Sequence, residues 1–454
     1  MGADLSLPSC IAPAILMAFV SWDCYEHLLS ERNKSRYRAF PLPKPHEWHH
    51  QPSDVSVIIP TVGHDEGFEA CICSILTNNP REIIIVTTEA EKARVAELVG
   101  ANRIESLRNR TEIDILNVSA ANKRDQIIRG VNASKGSILA LVDDDAYWPH
   151  EAVLKHLLSP FQQEDVGLAG GAVFSYLPEE RKCPDIITPW EVAAIRLRSK
   201  RHDSMKSAHA ADGGINFCVS GVTMLLRAEI SRDPAFQHAF TTDYWMGIRQ
   251  NTGDDGFLTR WVLFHHVLHP PAQDKNGTTA RPRQWRLGIQ LTPEAEVGTT
   301  IMRDSRFAGQ MKRWYRSGLR HRLLCLLYEP GIRGIWQTFP FMTRKMVEGM
   351  LNPILLWVRL WSIYKTSCVE PRFAYAVFLG WKTHNYVNGI LRFFNEYPFA
   401  KRYWWAAVLV DRVYLISDWY CWATLGTEAW MSRPKVDNDG VHAESNARFG
   451  QDGS

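Results

Sequence analysis

From residue 55 to residue 142 the chain alternates short apolar runs with stretches of helical spacing. "VSVIIPT" (55–61), "EIIIVTT" (82–88), "IDILNV" (113–118) and "SILALV" (137–142) have the length and the β-branched composition of buried strands. Between them, 65–79, 91–100 (closed by Gly100) and 120–134 repeat apolar positions with the period of a helix. Uniformly apolar strands alternating with helices predict an α/β fold with a mostly parallel sheet covered on both faces. Ligands in such sheets bind beyond the carboxyl ends of the strands.

The fourth run ends in three carboxylates, Asp143, Asp144 and Asp145. Carboxylates crowded at the mouth of a sheet repel one another unless a cation sits among them. Oxygen-only ligands select a hard ion such as Mg²⁺ or Mn²⁺. An acidic turn capping the next helix, with Pro149 in its first turn, is the competing reading.

Three further patterns follow. "DGGINFCVSGVTMLLRAEI" (212–230) sets Gly213, Gly214 and Gly221 around an apolar strand, where glycines permit close approach of a ligand or backbone, or simply make a turn. "NTGDDGFLTRWVL" (251–263) places Asp254 and Asp255 in a Gly turn opening a helix, where paired acids commonly cap. "RFAGQMKRWYRSGLRHRLLCLL" (306–327) joins Gln310, Arg313 and Trp314 to a basic amphipathic run suited to a membrane surface.

The second half of the chain changes character. More than half of its 17 Trp lie beyond residue 300, as in chains that meet a membrane interface. Segments 10–22, 349–364, 372–391 and 403–426 are the apolar candidates for transmembrane helices, although mean hydropathy is only −0.22 and no stretch gives eighteen uncharged apolar residues. Buried helices of a soluble domain are the alternative. Arg32, Lys34, Arg36, Arg38 and Lys44 follow the first segment and orient it as an anchor with its C-terminal flank in the cytosol. A net charge of +3 with 22% charged residues indicates neither nucleic-acid binding nor disorder. Nine Cys without a CxxC pair suit reduced thiols of a cytosolic domain.

A strand-end DxD, a Gly turn with paired acids, then "QMKRW" before hydrophobic segments resembles the processive family-2 glycosyltransferases, the group of hyaluronan, cellulose and chitin synthases. The nearest likeness is to fungal polysaccharide synthases similar to hyaluronan synthase, over roughly residues 50 to 433, where "AWMSR" (429–433) looks like a form of the family's C-terminal WGTR. The resemblance implies a GT-A-like catalytic domain with amphipathic interface helices and transmembrane helices. It assigns 1–50 to an anchor and linker, 51–300 to the catalytic domain, 301–330 to the interface region, 331–433 to membrane helices and 434–454 to a polar tail.

By the same resemblance Asp143 and Asp145 hold Mg²⁺ or Mn²⁺ and the donor diphosphate, while Asp255 is the general base with Asp254 as its acidic neighbour. Thr61, Lys123 (with Arg124 beside it) and Arg313 join the UDP-binding set, and Glu89, Thr87 or Thr88 stands where relatives contact uracil. Gly221, Gln310 and Trp314 face the acceptor. The function implied is a multi-pass plasma-membrane enzyme, its catalytic domain cytosolic, that polymerises a UDP-sugar onto a growing glycan. The partners are the donor, the glycan and the lipid bilayer, with no nucleic acid. Single transfer to a lipid, as in ceramide glucosyltransferases, and an inactive glycan-binding scaffold are the alternatives.

Overall fold

The computed structural model describes residues 10–63, 67–268, 283–377, 380 and 384–428. "AWMSR" and the polar tail lie outside the described residues. The core is a seven-stranded sheet built from β1 (Val55–Pro60), β2 (Glu82–Thr88), β3 (Glu112–Val118), β4 (Ile138–Val142), β5 (Val166–Gly171), β6 (Thr223–Arg227) and β7 (Arg286–Gln290). Their spatial order is β7-β5-β6-β4-β1-β2-β3. All neighbours are parallel except β6, which runs antiparallel between β4 and β5.

Both faces are covered, which is why the central strands read as unbroken apolar runs: every residue of β1 and β4 is buried. Ile58, Ile84 and Leu139 pack on one face with Ile127 and Val131 of α3 (Lys123–Ala133). Val57, Ile59 and Ile85 pack on the other with Phe68, Ile72 and Ile75 of α2 (Phe68–Leu76). Helix α3 begins where it does because Asn122 Oδ1 accepts from the backbone N–H groups of Arg124 and Asp125. The strand β3 departs from the expected uniform burial; it is a sheet edge, and none of its residues is fully buried.

Helices α4 (Pro189–Ser199) and α5 (Arg201–Asp212) then cross the carboxyl side of the sheet. A Thr188–Glu191 capping box with Pro189 in the first turn starts α4. Two long helices follow the sheet region: α6 (Asp254–Leu268) carries the paired acids at its N-terminus, and α7 (Arg306–Leu327) carries the QMKRW run.

The expected membrane helices take a different form. The first apolar segment belongs to α1 (Ile11–Arg36) and the second to α8 (Pro340–Val369), both longer than the apolar runs inside them. The last segment is broken into α9 (Trp404–Val410) and α10 (Tyr414–Ala423). Among the described residues no helix is long and apolar enough to cross a membrane. The charges that lower the hydropathy of α1 and α8 face each other across the helix pair: Asp23 pairs with Arg359 at 3.1 Å, and Glu26 with Arg344 at 2.9 Å. Trp22 Nε1 donates to Glu348 at 3.1 Å in the same seam.

Candidate active site

The carboxyl ends of β1 and β4 open into a cavity of about 1410 Å³, closed on its far side by α4, the start of α5 and one face of α7. Thr61, Lys123, Asp143, Asp145, Gly221, Asp254, Asp255, Gln310, Arg313 and Trp314 all line it. Residues spread over more than 250 positions of sequence thus converge on one space.

Lys123 forms its centre. It follows the Asn122 cap, at the positive end of α3, and its Nζ lies 2.8 Å from Asp143 Oδ1 and 2.9 Å from Asp254 Oδ2. Burial alone would lower its pKa, yet Asp143 and Asp254 together hold it above the ordinary lysine range. Burial works upward on Asp254, and the Lys123 charge overrides it, so that carboxyl stays below its usual value. Asp143 goes the other way: burial raises it by more than Lys123 draws it down.

Asp255 differs from its neighbour. Burial, and then the Asp254 charge beside it, raise its pKa, with Lys123, Cys218 and the Gly256 N–H pulling against them. The Cys218 thiol donates to Asp255 Oδ2 at 3.2 Å, and Gly256 N donates to Oδ1 at 2.7 Å. Asp254 is therefore an ion-paired carboxylate, whereas Asp255 is a carboxylate of raised basicity. A Cβ placed on Gly221 would sit 3.5 Å from Asp255 Cβ and 3.6 Å from Lys123 Nζ, so glycine here leaves the space before both groups clear.

The three consecutive acids have three separate environments. Asp143 faces Lys123. Asp144 is buried and accepts from Thr61 Oγ1 at 2.7 Å. Asp145 Oδ2 accepts from Thr299 Oγ1 at 3.1 Å and Thr300 Oγ1 at 3.4 Å, because the 297–299 strand pairs antiparallel with 146–147 and crosses over the acidic turn. The Thr61 hydroxyl lines the cavity but is turned to Asp144 and the Gly63 carbonyl.

On the opposite wall Gln310, Arg313 and Trp314 project from one face of α7, as i, i+3 and i+4 spacing requires. Gln310 Oε1 is buried without a protein donor. Arg198 of α4 stands over the Trp314 ring, 5.0 Å from its centroid, and donates to Ser175 Oγ at 3.1 Å. Burial pushes the Arg198 pKa down to about 10, opposed by Asp145. Arg198 and Cys218 were not expected from the sequence. An arginine inside the apolar stretch of α4 is the one local sign of the first; nothing local marks the second.

Two expected residues, Glu89 and Arg124, lie elsewhere, and so does the neighbouring acid Asp212. Glu89 is not part of the cavity wall; it accepts from Asn117 Nδ2 beside the end of β3. Arg124, read together with Lys123, points away into the core, pairing with Asp243 at 2.9 Å and donating to the Phe240 and Thr252 carbonyls. Asp212 caps α8, its Oδ2 accepting from Phe341 N at 2.8 Å and Met342 N at 3.1 Å, which withdraws it from acid–base chemistry. Among the described residues a further carboxylate group, Glu82, Glu112 and Asp114, gathers within 4.8 Å. It lies at the amino ends of β2 and β3, the end of the sheet opposite the cavity, and Lys135 pairs with Glu82 and Glu112 there.

Residues 52–285, just over half of the chain, match the family described as glycosyltransferase like family 2. NDP-glycosyltransferase ltbB of Aspergillus luteorubrus is 36% identical over 92% of this chain and 97% of its own length. A type 2 glycosyltransferase of Zymoseptoria tritici is 30% identical over 73% of this chain and 62% of its own. Among solved structures, mannosyltransferase PcManGT from Pyrobaculum calidifontis, in complex with GDP-Man and Mn²⁺, covers 90% of this chain and 99% of that one at 13% identity, with a TM-score of 0.49. Identity of 36% along almost the whole of this chain and of its Aspergillus relative, together with the family match over residues 52–285, makes this protein a glycosyltransferase belonging to family 2.

Proposed function

We propose that the chain transfers a glycosyl group from a nucleoside-diphosphate sugar, UDP-linked by resemblance, to an acceptor hydroxyl with inversion at the anomeric carbon, and that repeated transfer builds a polysaccharide at a membrane. The observation that carries the transfer reading is the pairing of unlike carboxylates in one cavity, an ion-paired Asp254 and an Asp255 of raised basicity, opposite Asp143 and Asp145. At about 1410 Å³ the space exceeds the ~300–1,000 Å³ of an ordinary ligand pocket, as two substrates require.

Asp255 takes the proton of the acceptor hydroxyl as that oxygen attacks the anomeric carbon. The single displacement needs no enzyme nucleophile and inverts the centre. Lys123 and Arg313 supply cationic contacts to the donor phosphates, the latter through its planar fork. Trp314, held by Arg198, offers a stacking face to the acceptor sugar, and Gln310 Oε1 an acceptor for one of its hydroxyls.

The residues present fit a divalent ion. Asp143 and Asp145 both line the cavity and offer oxygen donors alone, the donor set that a hard divalent ion takes. Mg²⁺ or Mn²⁺ held by them would neutralise the charge that builds on the departing diphosphate. Purified protein is expected to release nucleoside diphosphate in the presence of either ion, and Asp145→Asn to fold yet release none. Undiminished activity in excess chelator would remove the ion from the account. Labelled product retained on a sizing column supports polymerisation; a low-mass product alone would replace it with single transfer.

Membrane attachment rests on surface chemistry. Every exposed tryptophan among the described residues (22, 336, 357, 404, 405, 419 and 422) belongs to α1 or to the chain after α7. Tryptophan concentrates at bilayer interfaces, and the seam ion pairs leave the outer faces of α1 and α8 to Met17, Tyr25, Leu28, Leu351, Ile354 and Trp357. In this reading the catalytic domain lies on the cytosolic side of the plasma membrane. Flotation with liposomes in a density gradient is the test; protein left at the bottom would remove the bilayer from the account.

A further inference from the structure

The Glu428 carboxylate, just beyond α10, is the acceptor for the turn that precedes the paired acids. Its Oε1 accepts from Asn251 N at 3.0 Å, Thr252 N at 2.7 Å and Thr252 Oγ1 at 2.6 Å. Its Oε2 pairs with Arg320 of α7 at 2.5 Å, and both side chains are less than a tenth exposed. The preceding residue takes part as well: the Thr427 carbonyl accepts from Arg316 of α7 at 3.1 Å.

We propose that Glu428 is a positioning residue for catalysis, fastening the 251–253 turn, and with it Asp254 and Asp255, to the helix that carries Gln310, Arg313 and Trp314. The inference rests on the reading of Asp255 as the base.

The turn has little to fix it otherwise. Gly253 holds φ +72, a conformation open to many alternatives in glycine, and the next residue is Asp254 at the start of α6. On the far side Asn251 Oδ1 accepts from Lys123 N at 2.8 Å, and Arg124 donates to the Thr252 carbonyl at 3.2 Å. Those contacts tie the turn to α3 and the donor side. Among the described residues only Glu428 accepts from the Asn251 and Thr252 backbone N–H groups on the α7 and acceptor side, where Arg320 itself reaches the Thr252 hydroxyl at 3.4 Å. Two buried N–H groups left without an acceptor would draw the turn toward water. A shift of about 1 Å in a catalytic group can cost about a hundredfold in rate.

Glu428 also buries a charge pair, so its removal alone would leave Arg320 uncompensated and lower stability whatever its role in catalysis. Two double variants of the full chain separate the effects. Glu428→Gln with Arg320→Met leaves no buried charge and keeps an amide oxygen for the Asn251 and Thr252 N–H groups. Glu428→Met with Arg320→Met is equally uncharged and lacks that oxygen.

The measurement is kcat and KM for nucleoside-diphosphate release from the donor sugar, with thermal unfolding alongside and Asp255→Asn as a third variant. The expected result is a kcat for the Met/Met pair about tenfold to a hundredfold below that of the Gln/Met pair, with donor KM within about threefold. Equal kcat in the two pairs overturns the inference, as does a kcat difference that disappears when each is assayed at the same interval below its own melting temperature. Unimpaired Asp255→Asn would instead overturn the assignment of the base, and is read independently of the other two.

Discussion

Asp255→Asn is expected to lower kcat by about a hundredfold to ten-thousandfold, roughly 3 to 5 kcal/mol of barrier, while the affinity for the donor sugar changes little. The asparagine oxygen can still accept from Gly256 N, and its amide N–H can donate to the Cys218 sulfur in place of the bond it received, so the site keeps its shape and loses its base. The pH profile supplies a second reading. A base must be deprotonated, and the Asp255 pKa is raised from 3.8 by burial and the Asp254 charge. Wild-type kcat should therefore fall, as pH drops, through a value above 3.8, and the residual rate of the variant should lack that limb. Asp212→Asn is the control: it touches a helix cap, so it should cost about 1 kcal/mol of stability or less and leave kcat unchanged. Near-normal turnover in Asp255→Asn would return the acid pair to helix capping.

Lys123→Met is expected to damage stability and activity together. Its Nζ is the cation shared by Asp143 at 2.8 Å and Asp254 at 2.9 Å, with only 16% of the side chain exposed. Breaking a buried pair by removing one partner costs about 3–5 kcal/mol, because the other charge stays buried. The pH dependence should change sign. In the wild type Asp254, held below 3.8, contributes stability that is present above 3.8 and lost as pH falls through its folded value. Lys123, held above 10.5, contributes stability that is full below 10.5 and lost only as pH rises beyond. Without the lysine, burial pushes both carboxyls upward, and protonating them relieves the penalty. The variant should gain stability relative to wild type between pH 7 and about pH 5 in chemical-denaturant titrations. A constant stability difference across that range would contradict the shared-cation arrangement.

How far the sequence carries depends on whether a feature is written locally. The strands β1, β2 and β4 were legible because burial on both faces demands continuous apolar residues, and the helices between them because the 3.6-residue period is a local signal. The antiparallel β6 was not distinguishable in orientation, since an apolar run looks the same in either direction. The acids at 143–145 and 254–255 and the QMKRW face were legible as clusters of costly or specific chemistry at element ends. Their division of labour was not: that Asp144 belongs to Thr61, that Arg124 turns from Lys123 into the core, and that Asp212 caps a helix through Phe341, 129 positions later, are all long-range pairings. The same holds for Cys218 with Asp255 and for Glu428 with the 251–252 turn. The apolar segments 10–22 and 349–364 are parts of longer helices, α1 and α8, and the pairing of Asp23 with Arg359 and of Glu26 with Arg344 between them was likewise not legible in the sequence.

The proposed reaction is a single displacement at the anomeric carbon, driven by Asp255 and directed by the carboxylates opposite it. The anomeric configuration of the product, read by NMR from a reaction of purified protein with an α-linked nucleoside-diphosphate sugar, tests it most directly. A β-linked product is expected, and none from Asp255→Asn; an α-linked product would require an enzyme nucleophile or a same-face attack, and would rule out the single displacement.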